Sequence, residues 1–200
     1  EVEDVRPRPD GAGRGIGVKY RVAVVGLGHI GWLADQDERR PRPRSHVSAW
    51  QSAPRAELVA VCDSNHNRMV HKYALDYTEI AEMFKLAGPF DIVSIATPPD
   101  THRAMVEQCA AAKTPLVVCE KPLAASSTDA LAMLEACRTA GTILLTNYGR
   151  RFHPMLRSVK AELDNGRIGQ PLSAIAVCSG GFWRGTSHMV DLLRWFLGDV

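Results

Sequence analysis

The sequence predicts an α/β fold with a doubly wound parallel sheet. Three observations lead there: short, almost wholly apolar runs recur along the chain, amphipathic stretches separate them, and nearly every run ends in a turn built from Gly, Asp, Thr, Pro or Lys. A strand buried on both faces reads as a continuous apolar run, and its alternation with helices implies right-handed crossovers. All carboxyl ends of the strands then share one edge of the sheet, where such folds hold their ligands.

The elements follow in order. Residues 1–18 are charged, rich in Pro and Gly, and lack the apolar stretch of a signal peptide, so they read as a flexible leader. The first strand, 21–25, ends at Gly26. An Arg- and Pro-rich insertion around 37–44 reads as a solvated loop, and a helix follows over 45–52. A second strand, 57–62, ends at Asp63. Helices are expected at 68–73 and 78–85. The third run, 91–96, ends in Thr97-Pro98-Pro99 and leads into a helix over 102–112. The fourth, 116–119, ends in Glu120-Lys121-Pro122, and a helix over 127–140 separates it from the fifth, 142–146. These elements make residues 19–147 one domain. Beyond Thr146 the pattern changes to a helix over 154–165 closed by Gly166, a strand over 172–179 and a helix over 188–197 ending at Gly198. A lone strand cannot satisfy its edges. Residues 148–200 are therefore expected to begin a second domain whose other strands lie outside this chain, by truncation or in a partner.

Composition narrows the function classes. Lys and Arg number 24 against 22 Asp and Glu, a net charge of +2, which gives no broad field for nucleic acid or anionic lipid. No apolar run approaches the ~20 residues of a bilayer helix. The five cysteines are odd in number, widely spaced and mostly set in apolar runs, as expected of buried, reduced thiols in a cytoplasmic protein. Neither they nor the histidines show metal-ligand spacing, so no metal site is expected. His46 and the other scattered histidines read as surface or packing residues.

Two glycine-rich stretches compete for a phosphate-binding role. Gly11, Gly13, Gly15 and Gly17 follow no strand. Gly26-Leu27-Gly28-His29-Ile30-Gly31 follows one and precedes a helical segment. There Gly26 permits a tight turn, Gly28 lets a pyrophosphate approach the backbone, and Gly31 lets helix and strand pack closely. Free N–H groups at the helix start favour the phosphate charge. Asp63, at the second strand end, can accept hydrogen bonds from both adenosine ribose hydroxyls; its alternative is a turn residue before Ser64-Asn65. Its carboxylate favours NAD over NADP without excluding the latter, because Arg68 stands nearby.

Three further segments resemble one family. They are Ala96-Thr97-Pro98-Pro99-Asp100-Thr101-His102, Glu120-Lys121-Pro122 and Asn147-Tyr148-Gly149-Arg150-Arg151-Phe152-His153-Pro154. In order, from about Lys19 to Gly198, the chain resembles the family of glucose-fructose oxidoreductase, inositol dehydrogenase and rhizopine catabolism proteins. The resemblance implies a Rossmann domain for a nicotinamide dinucleotide, then an α+β domain with a largely antiparallel sheet that shapes a sugar or polyol site and often an oligomer interface. It places Lys121 beside the nicotinamide and the reacting hydroxyl, Thr97 and Pro98 along the dinucleotide, and Glu120 and Asn147 near the nicotinamide ribose and amide; His29 and Ile30 join the cofactor residues through the glycine loop, and His102, grouped with them, can cap or brace the loop after Thr97. Gly185-Thr186-Ser187-His188-Met189-Val190-Asp191 matches the segment carrying the family's catalytic His, at His188. Arg151 and Asp191 join Lys121 and His188 on the substrate side. One departure stands out: Arg184 occupies a position where the family often has Asp.

The implied reaction needs a hydride acceptor and a base for the hydroxyl proton. Lys121 and His188 are the candidates, since a lysine beside a positively charged nicotinamide is pushed toward its neutral form and histidine titrates near neutrality. Two readings remain: an NAD(P)-dependent oxidoreductase acting on a sugar, polyol or related hydroxy compound, and a non-catalytic dinucleotide-binding regulator or sensor on the same fold.

Overall fold

The computed structural model describes residues 19–39, 41–68, 74–179, 181 and 185–198. Six strands, β1 (Tyr20–Val25), β2 (Ala56–Cys62), β3 (Leu75–Tyr77), β4 (Ile92–Ile95), β5 (Leu116–Cys119) and β6 (Ile143–Thr146), form one sheet in the order β3-β2-β1-β4-β5-β6. Every neighbouring pair is parallel. The order reverses between β1 and β4, which opens a crevice at their carboxyl ends.

Side-chain alternation explains the apolar runs. Val22 and Val24 point to one face, against Val47 and Trp50 of α1 (His46–Ser52). Ala23 and Val25 point to the other, into a larger core with Met83 of α2 (Ile80–Ala87), Val106 and Cys109 of α3 (His102–Ala111), and Met133 of α4 (Ser127–Ala140). Each fully buried Val contributes about 1.5–3 kcal/mol relative to an exposed one, so both layers hold the central strands. Local signals end the helices as expected. Ser126 accepts the Asp129 N–H at 3.1 Å to cap α4, and Gly141, at φ 70°, closes it.

The glycine turn and α1 form one interrupted helix. Trp32 N–H donates to Gly28 O and Ala34 N–H to His29 O, then the chain leaves as a 3-10 turn at Leu33–Gln36 and the insertion. On its return, His46 N–H donates to Ile30 O at 3.0 Å and Val47 N–H to Gly31 O at 3.1 Å. His46 thus takes the place that residue 34 would hold in an unbroken helix. The junction is fastened by Asp35, fully buried, whose carboxylate accepts the Arg44 N–H at 3.0 Å and the Ser45 hydroxyl, while Ser45 caps α1. Burial would raise the Asp35 carboxyl pKa, but the bonds from Ser45, Ser48 and Arg44 outweigh it and hold it below the usual value.

Several expectations need correction. Strand β3 was not foreseen. The strand expected over 172–179 has no ladder, because a strand exists only by pairing and this segment meets no partner among the described residues; Leu172, Ile175 and Val177 are 99%, 91% and 87% exposed. Of the helix expected over 68–73, only a 3-10 turn at His66–Arg68 is seen, and the remainder, like residues 1–18 and Arg184, lies outside the described residues. Cys178 is exposed, whereas Cys62, Cys109, Cys119 and Cys137 are buried free thiols. The last helices, α5 (Pro154–Asp164) and α6 (Ser187–Leu197), match the sequence within a residue. Among the described residues no helix is long and apolar enough to cross a membrane.

Candidate active site

The turns predicted from sequence converge along the carboxyl edge of the sheet. A cavity of about 580 Å³ is lined by Gly26, Gly28, His29, Ile30, Asp63, Thr97 and Pro98. Gly26 has φ 91°, and a Cβ there would lie 2.7 Å from the Ala96 carbonyl carbon; a Cβ on Gly31 would lie 1.8 Å from Gly26 O. Protein packing therefore dictates both glycines. Gly28 differs, for its Cβ would meet nothing nearer than Arg68 Nη1 at 3.9 Å. Nothing among the described residues forbids a side chain at Gly28, which leaves the space over it open. Among the described residues the N–H groups of Gly28, His29 and Ile30 find no internal acceptor, which fits an anionic pyrophosphate.

Asp63 is 7% exposed at the other side of this cavity. Its Oδ2 accepts the Leu27 N–H at 2.7 Å, its Oδ1 accepts the Asn65 N–H at 2.8 Å, and Arg68 Nη1 lies 3.6 Å from Oδ2. The residue therefore shapes the turn and also holds the glycine loop, with carboxylate lone pairs left for further donors.

Thr97 and His102 are joined. His102 is fully buried, with Nε2 2.9 Å from Thr97 O and Nδ1 3.0 Å from Leu123 O. Both ring nitrogens thus face protein carbonyls, and the ring braces the Thr97 turn against the segment after Pro122.

Past β5, Glu120 is the centre of a polar network. Its Oε1 lies 3.0 Å from His46 Nε2 and accepts from Asn147 Nδ2 at 2.6 Å, while its Oε2 accepts the Lys121 backbone N–H at 3.1 Å. His46 Nδ1 meets Ser94 Oγ at 2.6 Å. Burial works to raise the Glu120 carboxyl pKa, but the bonds from His46 and Asn147, with the Lys121 N–H, outweigh it, so Glu120 stays ionised well into acid. Sequence reasoning missed His46 and Ser94. The only signal for His46 was its position at the helix start after the insertion.

Lys121 and His188 lie near enough for their charges to interact. The pKa of His188 is held below the usual imidazole value by burial, then by Lys121 and Arg150, against the opposing pull of Glu120 and Asp191. Its ring stands edge-on to Tyr148, centroids 5.8 Å apart, and among the described residues its buried Nδ1 meets no hydrogen-bonding atom. Arg151 and Asp191, expected on the substrate side, are paired with each other. Arg151 Nε lies 2.9 Å from both Asp191 carboxylate oxygens and its Nη2 2.7 Å from Oδ1. A paired guanidinium and carboxylate of this kind ties the turn at Gly149–Phe152 to α6 and so fixes His188. The cysteines beside the site are inert, for burial and then the neighbouring carboxylates push the Cys62 and Cys119 thiols to about 12.

The profile of a protein family described as an oxidoreductase family with an NAD-binding Rossmann fold matches residues 20–148. The chain is 33% identical to a D-apiose dehydrogenase of Rhizobium rhizogenes, over 78% of this chain and 51% of that one. It is 29% identical to a myo-inositol 2-dehydrogenase of Thermotoga maritima, over 90% and 55%. Among solved structures it resembles an oxidoreductase from Agrobacterium radiobacter in complex with NAD+, L-tartaric acid and magnesium, at a TM-score of 0.74 and 30% identity, covering 92% of this chain and 56% of that one. The chain spans about half the length of the curated relatives it matches.

Proposed function

We propose, from the premise that this chain belongs to the oxidoreductase family of glucose-fructose oxidoreductase, inositol dehydrogenase and rhizopine catabolism proteins, that it carries the cofactor site and catalytic base of an NAD-dependent dehydrogenase acting on a sugar or polyol. One observation carries the reading: the unfilled space over Gly28 and the Lys121–His188 pair stand along the same edge of the sheet. The non-catalytic regulator finds no support in the comparisons.

NAD, when bound, accepts or returns the hydride. The chain supplies the rest. Backbone N–H groups of Gly28–Ile30 would hold the pyrophosphate, Asp63 would take the adenosine ribose, and Glu120 and Asn147 would fix the nicotinamide end. The positively charged Lys121 side chain would stand at the substrate hydroxyl oxygen and stabilise the developing alkoxide. The hydroxyl proton passes to His188, which is kept neutral by burial and by the Lys121 charge.

Titration with NAD+ and NADP+, followed by absorbance of the reduced cofactor with D-apiose and myo-inositol, tests this. NAD+ should bind more tightly, because the Asp63 carboxylate repels a 2′-phosphate and Arg68 only partly offsets it. Equal binding of NADP+ removes Asp63 from the ribose site, and tight NAD+ binding with no turnover on any polyol returns the regulator.

The acid limb of kcat/KM gives a second test, because it reports the free enzyme. His188 works as a base only when unprotonated, and its folded pKa lies below the ordinary 6.5. The value of kcat/KM should therefore persist below pH 6.5 and fall only as the pH drops through the depressed value. A limb centred at or above 6.5 in kcat/KM would assign the proton to another group.

A homo-oligomer belongs to the same reading, since Leu172, Ile175 and Val177 present apolar surface. So does a reducing, cytoplasmic setting, in keeping with four buried free thiols.

A further inference from the structure

The polar network under Glu120 has a defined direction. A carboxylate only accepts hydrogen bonds, so His46 carries its proton on Nε2, toward Glu120 Oε1 at 3.0 Å. In the neutral ring Nδ1 is then an acceptor, and it takes the Ser94 hydroxyl proton at 2.6 Å. Hydroxyl, imidazole and carboxylate stand in the order of a hydrolytic triad. Ser94, however, is fully buried in β4, between β1 and β5. No substrate carbonyl reaches its oxygen, and the chain of donors ends at Glu120 instead.

Other groups meet at the same carboxylate. Asn147 donates to Oε1 from the end of β6, and the Lys121 backbone N–H donates to Oε2. His188, on α6, is the further titratable group whose charge balance includes Glu120. The imidazole that orients Glu120 is itself fixed by its backbone: His46 N–H donates to Ile30 O, inside the glycine turn. A rigid path therefore runs from the turn over Gly28, through His46, to Glu120 and the backbone of Lys121.

We propose that His46 is a positioning residue, which by bridging Ser94 and Glu120 holds the Glu120 carboxylate in one orientation and so sets where Lys121 stands relative to His188. This rests on the dehydrogenase reading for its kinetic consequence, although not for the geometry. Freed of His46, the carboxylate would keep only Asn147 and the Lys121 N–H, and could rotate. The Lys121 backbone would follow it, and a displacement of about 1 Å at a reacting group typically costs ~10²-fold in rate.

The test uses the full-length protein and two readouts. The Glu120 carboxyl is titrated by ¹³C NMR without cofactor, assigned by its loss in Glu120→Gln. Turnover is measured with NAD+ and whichever of D-apiose and myo-inositol reduces it. In His46→Leu the Glu120 titration should move up, because a donor is lost while burial stays, and kcat should fall ~10²-fold. His46→Gln should recover both, since its amide N–H can donate to Glu120 and its carbonyl can accept from Ser94. If neither sugar is turned over, the substrate reading fails, and the NMR titration alone decides on His46. An unmoved Glu120 titration in folded His46→Leu overturns the proposal, as does a His46→Gln variant no better than His46→Leu. Should His46→Leu fail to fold, Ser94→Ala takes its place: it frees the ring to turn, and an unchanged Glu120 titration there overturns the proposal equally.

Discussion

Lys121→Ala, in the full-length protein, is expected to lower kcat by ~10²–10⁴ while leaving the affinity for NAD+ close to wild type. The two effects separate because different parts of the chain produce them. On the proposed reading the cofactor would be held by the N–H groups of the glycine turn and by Asp63, with Thr97 after β4, all of which line one cavity. Lys121 follows β5 and would act at the hydroxyl. Its removal has a second consequence with a definite sign. The Lys121 charge is one of the causes that depress His188, so without it the His188 pKa rises toward 6.5 and the acid limb of the residual activity moves to higher pH. A variant that loses NAD+ binding in step with kcat, or whose acid limb stays in place, would show that Lys121 serves the cofactor and leaves His188 alone. Wild-type turnover would remove it from the chemistry altogether.

The fold was legible because of how its strands are buried. In β1, Val22 and Val24 face α1 and Ala23 and Val25 face α2–α4, so every position is apolar and the run stands out. Strand β3 is three residues long, Leu75, Asp76 and Tyr77, and is only partly buried. No periodicity can be read over so short a span. The segment over 172–179 shows the opposite failure: its apolar pattern reads as a strand, yet a strand needs a neighbour, and none meets it among the described residues.

The candidate site divided in the same way. Residues within a turn, such as Gly26–Gly31, Thr97-Pro98 and Glu120-Lys121, were visible because each turn carries its own chemistry. Relationships between turns were not. The Arg151–Asp191 pair joins residues 40 positions apart, and no local pattern in the sequence shows that the two meet. His46 was hidden by the insertion, which separates it in sequence from the turn whose backbone it completes. Its ring reaches Glu120, 74 positions away, and only the register of β1, β4 and β5 brings them together.

Substitutions in the glycine turn should separate what folding requires from what the ligand requires. Gly31→Ala is expected to abolish folding, because its Cβ would stand 1.8 Å from Gly26 O and 2.9 Å from Gly26 C, both backbone atoms that cannot swing away. Relief would mean parting the turn from the strand it closes. That places the cost at the severe end for single substitutions, on the order of 4–5 kcal/mol or more, comparable with the whole stability of many domains. Gly28→Ala should behave in the opposite way. Its backbone is not in the left-handed region and the nearest atom to a new Cβ is 3.9 Å away. The unfolded chain loses freedom, so stability should hold or rise by about 0.4–1 kcal/mol. The added methyl would instead stand where the proposed reading brings the pyrophosphate. Overfilling a packed contact costs about 1–3 kcal/mol, which corresponds to roughly 5- to 150-fold in Kd for NAD+. Thermal unfolding and NAD+ titration of the two variants give the comparison. A Gly28→Ala protein that binds NAD+ as wild type does would mean that the phosphates lie elsewhere, and the assignment of the cavity over Gly28 would fall with it.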